Sequence, residues 1–91
     1  MSHTSREKAK LIARVRRIKG QLEGIERALE ADAACVEVLR QIASVRGAVN
    51  GLMSEVMEAH LREEFGHPAA SDEQRAERVR DMSALIRSYL K

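Results

Sequence analysis

Apolar side chains recur along the middle of the chain in alternating steps of three and four residues. This is the spacing of a helix that packs against other helices. The positions that follow it are Cys35, Val38, Ile42, Val45, Val49, Leu52, Val56 and Ala59. Their continuity predicts one long helix over residues 33–65, with Asp32 as its N-cap residue. We expect this helix to organise the fold.

Shorter helices are predicted on both sides of the long one. The apolar stripe of the first comprises Leu11, Val15, Ile18, Leu22, Ile25 and Leu29. It predicts a helix over residues 5–30, with a capping-box pattern at Thr4 and Glu7. Ser71 and Gln74 form the same pattern ahead of a third helix, predicted over residues 72–90. The predicted fold class is all-α, a three-helix protomer with a long central helix, forming a single domain over residues 1–91.

Two glycines interrupt the predicted central helix. Gly47 and Gly51 are four residues apart and therefore lie on one helix face. A glycine in a helix interior costs about 1 kcal/mol relative to alanine, so some feature of the fold must require it. We expect both glycines to admit a crossing helix, and a kink in the central helix is the alternative.

The size and composition of the chain limit what it can do alone. It has 91 residues, of which 44% are hydrophobic but only 2% aromatic. A core of this size is marginal, so we expect an oligomer to supply further burial. The single cysteine fits a reducing compartment. Because neither a signal peptide nor an apolar run of about 20 residues is present, the predicted location is the cytoplasm.

Basic residues are concentrated in the first predicted helix. The net charge is only +2, yet the segment 8–19 contains no acidic residue. Its basic residues are Lys8, Lys10, Arg14, Arg16, Arg17 and Lys19. Such a stripe is typical of contact with a phosphate backbone, although a solvated helix face has the same composition.

Two reactive residues stand near opposite ends of the central helix. Cys35 and His60 would be about 37 Å apart on a straight helix rising roughly 1.5 Å per residue, so they cannot meet within one copy. If two copies run antiparallel, the Cys35 end of one faces the His60 end of the other. The alternative for Cys35 is a small buried hydrophobic residue.

His60 and Glu64 have the spacing of two ligands on one helix face. A pair of surface groups has the same spacing. Glycine-rich phosphate loops, CxxC pairs and HExxH motifs are missing from the sequence. Three amphipathic helices of this size also offer little room for a catalytic pocket, and we do not expect an enzyme.

The longer motifs resemble those of a known family. The segments RVRRIKGQLEGIERAL, LRQIASVRGAVNGLMSEVMEAHL and IRSYLK occur in this order, with Cys35 ahead of the second. Together they resemble the CsoR–RcnR–FrmR family of small all-helical bacterial repressors across essentially the whole chain. The resemblance implies antiparallel pairing of the long helices in a dimer, two dimers in a tetramer, and binding to operator DNA. It implies phosphate contacts by Arg14, Arg17 and Arg46, with Lys10 and Lys19 as weaker candidates.

The effector implied by the resemblance differs between branches of the family. The run RVRRI, the central glycine-containing run and the C-terminal segment are most similar to formaldehyde sensors. There the amine of a second residue, here Ser2 after removal of Met1, and the thiolate of a neighbouring subunit, here Cys35, are joined through the aldehyde carbon. The usual second residue in that branch is proline, and this chain has serine.

The resemblance also implies a metal site shared between subunits. Its ligands would be His3, Cys35, His60 and Glu64, and Zn(II), Co(II) or Ni(II) would be the bound effector, with no obligatory cofactor. Copper(I) is disfavoured because a second cysteine is missing. A nickel- or cobalt-responsive repressor of a metal efflux gene is the first alternative, although that branch has a histidine where Glu64 stands. A helical metal-binding or interaction module that does not bind DNA is the alternative from another class.

Overall fold

The computed structural model describes residues 5–89, which form three α-helices and no β-strand. Helix α1 spans Ser5–Glu30, α2 spans Cys35–Phe65 and α3 spans Asp72–Tyr89. The predicted all-α class with a long central helix is confirmed. The cap at Thr4 lies outside the described residues. No helix within residues 5–89 combines the length and the apolar character needed to cross a membrane.

The turn between α1 and α2 corrects the role predicted for Asp32. Its backbone is left-handed, with a φ of 56°. The N–H of Asp32 donates to the carbonyl of Leu29 at 3.2 Å, and the N–H of Ala33 donates to the carbonyl of Ala28 at 2.9 Å. These two bonds form a Schellman motif, which satisfies carbonyls at the end of α1. Asp32 therefore ends the first helix and is not the N-cap residue of the second.

The chain divides into two compact units, one reaching His60 and the other beginning at Leu61. The first unit contains α1 and most of α2. The second contains the end of α2 and the whole of α3. A single domain over residues 1–91 stays a prediction.

In the first unit, the predicted apolar stripes each separate into two interleaved heptad series. We call the buried and half-buried positions the inner series: Leu11, Ile18, Ile25, Val38, Val45, Leu52 and Ala59. We call the exposed positions the outer series: Val15, Leu22, Leu29, Cys35, Ile42 and Val49. Val56, seven residues after Val49, is half-buried, so the outer series ends at Val49. Each series advances by seven residues along its helix, so it occupies one narrow face.

Polar contacts join α1 to α2 alongside the inner series. Arg14 donates to both carboxylate oxygens of Glu55, from Nε and Nη2, at 3.0 Å each. Two helical turns further along α1, the Nε2 of Gln21 donates to the Oγ of Ser44 at 3.4 Å. The bidentate contact between Arg14 and Glu55 fixes geometry as well as contributing energy, because the guanidinium and the carboxylate are both planar. It holds α1 in a defined register against α2.

The second unit is organised by the start of α3. The Ser71 hydroxyl accepts from the N–H of Gln74 at 3.1 Å, as the predicted capping box requires. Arg78 on α3 lies 5.8 Å from the centre of the Phe65 ring and donates to the carbonyl of His67 at 2.8 Å. These contacts tie the turn after α2 to the body of α3.

Candidate functional site

Cys35 is the first residue of α2, and its side chain is exposed. It is preceded by Ala34, whose carbonyl accepts from the N–H groups of Glu37 and Val38 at 2.9 and 3.2 Å. Because alanine has no side-chain oxygen, Ala34 does not cap the first backbone N–H groups of α2 with its side chain. The interpretation of Cys35 as a buried hydrophobic residue is wrong for the isolated protomer. The thiol is open to a small electrophile or a metal ion.

The other predicted metal ligands are not gathered around this thiol within one chain. His60 and Glu64 are half-buried and lie near the far end of α2, and His3 lies outside the described residues. Among residues 5–89, no group of three or more His, Cys, Asp or Glu side chains is placed to hold a metal ion. The metal site and the role of the Ser2 amine therefore stay predictions, and both require a second chain.

The predicted DNA contacts fall into two groups. Lys10, Arg17 and Lys19 on α1 and Arg46 on α2 have exposed side chains. None of these four has a carboxylate partner within residues 5–89. They are therefore open to phosphate. Arg14 differs because its guanidinium is already held by Glu55.

Gly51 makes room for this arginine. A Cβ atom at Gly51 would lie 2.6 Å from the Nη1 atom of Arg14, a distance that real Cβ contacts do not show. At Gly47 the same atom would meet nothing within 4 Å. Within residues 5–89, the predicted close approach of another helix backbone is therefore not seen at either glycine. Gly51 instead accommodates a side chain from α1.

Glu55 is the residue that sequence reasoning missed. It is 41 residues from Arg14, and no local spacing connects the two. The available signal was indirect, since Glu55 follows Gly51 by four residues and so lies on the same face of α2. The pair is only partly shielded from solvent, with 36% of the Arg14 side chain and 39% of the Glu55 side chain exposed.

The chain belongs to the metal-sensitive transcriptional repressor family, which it matches over residues 7–88. Members of this family are repressors and not enzymes.

Two proteins of similar sequence align over their full length and over the whole of this chain. One is an uncharacterized protein in the bioA 5′ region of Serratia marcescens, which is 54% identical. The other is the transcriptional repressor RcnR of Salmonella paratyphi B, which is 47% identical. Among solved structures, the chain is similar to the E64H variant of the formaldehyde-responsive regulator FrmR from Salmonella enterica serovar Typhimurium. That match has a TM-score of 0.84 and 45% identity, and covers 97% of this chain and 99% of the other.

Proposed function

We propose that the chain is a DNA-binding repressor that formaldehyde releases from its operator. The observation that carries the proposal is the exposed thiol of Cys35 at the first position of α2. The structural similarity to a formaldehyde-responsive regulator supports the same effector.

The proposed chemistry joins two chains through one carbon. The amine of Ser2 adds to formaldehyde and gives a carbinolamine, which loses water to form an iminium ion. The Cys35 thiolate of a neighbouring chain then attacks the iminium carbon. One N–C and one S–C bond form, the aldehyde oxygen leaves as water, and the amine and the thiol each give up a proton. No oxidant or reductant is needed.

The outer series supplies the surface on which such chains would assemble. Its exposed members on α2 are Cys35, Ile42 and Val49, which share one face of the helix. A second α2 running antiparallel would cover this apolar face and place the far end of its helix beside Cys35. Further pairing of two such dimers gives the tetramer expected for this family. The proposed effector site is therefore complete only in the assembly.

The same site would bind a metal ion. A thiolate, two imidazoles and a carboxylate, from Cys35, His3, His60 and Glu64, form a donor set that suits Zn(II) or Co(II). A nickel- or cobalt-responsive repressor is the second candidate, favoured by the metal-sensitive family and by the similarity to RcnR. The carboxylate of Glu64 is a harder ligand than imidazole, and this favours the aldehyde as effector.

DNA would be bound by the exposed basic residues Lys10, Arg17, Lys19 and Arg46, joined by Arg14. These side chains contact phosphates, which fix the position of the protein on the duplex without reading its bases. Sequence preference would come from the shape and deformability of the operator. When the effector links two chains, the assembly shifts to a form whose α1 helices no longer match the duplex.

The test is a titration of formaldehyde into the protein bound to a fluorescent duplex from its own promoter. We expect anisotropy to fall as the DNA is released, at formaldehyde levels that leave the Cys35→Ser variant bound. Nickel, cobalt and zinc salts are titrated in parallel. A coupling of about 1–3 kcal/mol corresponds to roughly 5- to 150-fold weaker binding.

The matched control is a protein acetylated at its N-terminus, which keeps Cys35 but lacks the nucleophilic amine. It should stay bound when formaldehyde is added. Release of both controls by formaldehyde would contradict the proposed bridge. Release by metal salts alone would favour the nickel or cobalt repressor.

A further inference from the structure

The ion pair between Arg14 and Glu55 stands apart from the other charges of α1. Arg14 lies within the acid-free basic segment of the helix, yet it is the member of the predicted DNA-contact set whose charge is neutralised within residues 5–89. Its partner comes from the other helix and not from the next turn of its own. The fold therefore places the carboxylate of Glu55 beside Arg14.

The geometry of the pair is that of a phosphate contact. The Nε and Nη2 donors of Arg14 engage two oxygens of Glu55 at 3.0 Å. The same donors form the fork that binds two oxygens of a phosphate, so one guanidinium face cannot serve both acceptors at once. A phosphate must displace the carboxylate in order to bind there.

The surroundings permit this exchange. More than a third of each side chain is exposed, so solvent and a DNA backbone can reach the pair. The Nη1 atom lies where a Cβ of residue 51 would clash with it, so Gly51 adds no side chain that hinders movement of the guanidinium. An ion pair that is this exposed contributes little free energy, so a phosphate group can replace the carboxylate.

We propose that Glu55 is a positioning residue that competes with operator phosphate for the guanidinium of Arg14. The inference rests on the proposed DNA-binding function but not on the identity of the effector. Bound to Glu55, the Nε–Nη2 edge of Arg14 is withheld from DNA and holds α1 in its register on α2. Bound to phosphate, it releases Glu55 and adds one contact to the complex. Glu55 therefore lowers operator affinity in the absence of any effector.

The first test measures operator affinity of the Glu55→Gln variant without effector. Since the competing charge is removed, we expect binding to tighten by roughly three- to fivefold, as expected for an exposed ion pair. The salt dependence should also steepen by about one counterion, because the wild-type carboxylate takes up a cation when Arg14 leaves it. Glu26→Gln on α1 removes the same charge from a residue without a partner in residues 5–89, and should change affinity much less.

The effect must pass through Arg14. In an Arg14→Ala background, Glu55→Gln should therefore have no further effect on affinity, and Arg14→Ala alone should weaken binding. If Glu55→Gln tightens binding equally with and without Arg14, the effect is one of overall charge and the proposal fails. If Glu55→Gln and Arg14→Ala both weaken binding, the pair is purely structural and the proposal also fails.

A second pair of variants reaches the same contact from Gly51. Gly51→Ala places a methyl group against Nη1 of Arg14 and should displace the guanidinium from Glu55, tightening binding as Glu55→Gln does. Gly47→Ala is the matched control, because it brings the same helix propensity without a neighbour within 4 Å. Equal affinities of these two variants would contradict the proposal.

The outcomes separate this inference from the proposed function. Tighter binding by Glu55→Gln with no response to formaldehyde would support the inference and remove the proposed effector. Release by formaldehyde with wild-type affinity in Glu55→Gln would do the reverse. A wild-type protein that binds no duplex from its own promoter would overturn both.

Discussion

The inner and outer series are built from the same kinds of side chain in the same helices, yet the structure treats them differently. Ile18 in the inner series is 8% exposed, whereas Ile42 in the outer series is 47% exposed. Both residues would be classed as core positions by their spacing. Their difference shows that one protomer uses only half of its apolar pattern.

The outer series leaves apolar surface in contact with water, and this is unfavourable for the isolated protomer. An isoleucine or leucine that is about half exposed forgoes roughly half of the 1.5–3 kcal/mol that full burial would contribute. An exposed apolar stripe on each of the two helices also marks a surface for association. The inner series therefore specifies how α1 packs on α2, and the outer series specifies what the chain packs against.

The largest effect is expected from a charge placed in the outer series. In Ile42→Glu, assembly of two α2 helices would bury an unpaired carboxylate, which is strongly unfavourable. We expect the protein to lose its oligomeric mass in sedimentation experiments and to lose operator binding, while its far-ultraviolet circular dichroism keeps the helical signal. Ala43→Glu, one position away and outside the series, is the control. Unchanged mass for Ile42→Glu would show that the outer series is not an interface.

A smaller effect is expected when an isoleucine of each series is shortened to alanine and the free energy of unfolding is measured. Ile18→Ala should lower the free energy of unfolding by about 2–4 kcal/mol, because it removes buried methyl groups and leaves a cavity. This loss should be the same at all protein concentrations in urea denaturation. Ile42→Ala makes the same chemical change in the outer series, and its cost should vary with protein concentration, since it acts through assembly. Concentration dependence in both variants would mean that the series are not distinct.

The smallest effect is expected from charges on the exposed side. Glu37 accepts from Arg40 at 2.6 Å, with 46% of the glutamate side chain and 70% of the arginine side chain exposed. Such pairs contribute about 0–0.5 kcal/mol. Glu37→Gln should therefore leave the urea midpoint nearly unchanged, whereas Glu55→Gln should lower it measurably. A larger loss in Glu37→Gln would show that the outer side contributes to protomer stability.

Sequence periodicity predicted the three helices because their apolar positions repeat over many turns. It could not separate the inner from the outer series, since steps of three and four describe both equally well. Asp32 was misassigned for a related reason. Aspartate is favoured at helix N-caps and also tolerates the left-handed backbone, and only the bonds from Asp32 and Ala33 distinguish the two roles.

The site was predicted less completely than the fold. The family resemblance pointed to Cys35, and the structure shows that its thiol is exposed. It also pointed to Arg14 as a phosphate contact, but the spacing of Gly51 and Glu55 was only an indirect signal for the carboxylate that binds its guanidinium. Contacts between residues far apart in sequence depend on how α1 is rotated on α2, which local spacing does not determine. The proposed effector site combines residues of different chains, and spacing within one chain does not place those residues together.

The central claim is that the effector joins the amine of one chain to Cys35 of another. Mass spectrometry of the formaldehyde-treated protein under non-acidic denaturing conditions tests it most directly. The account predicts a covalent dimer that exceeds twice the chain mass by about 12 Da for each bridging carbon, net of water, and that is missing in Cys35→Ser. A single chain that gains the same mass and persists in Cys35→Ser would contradict it.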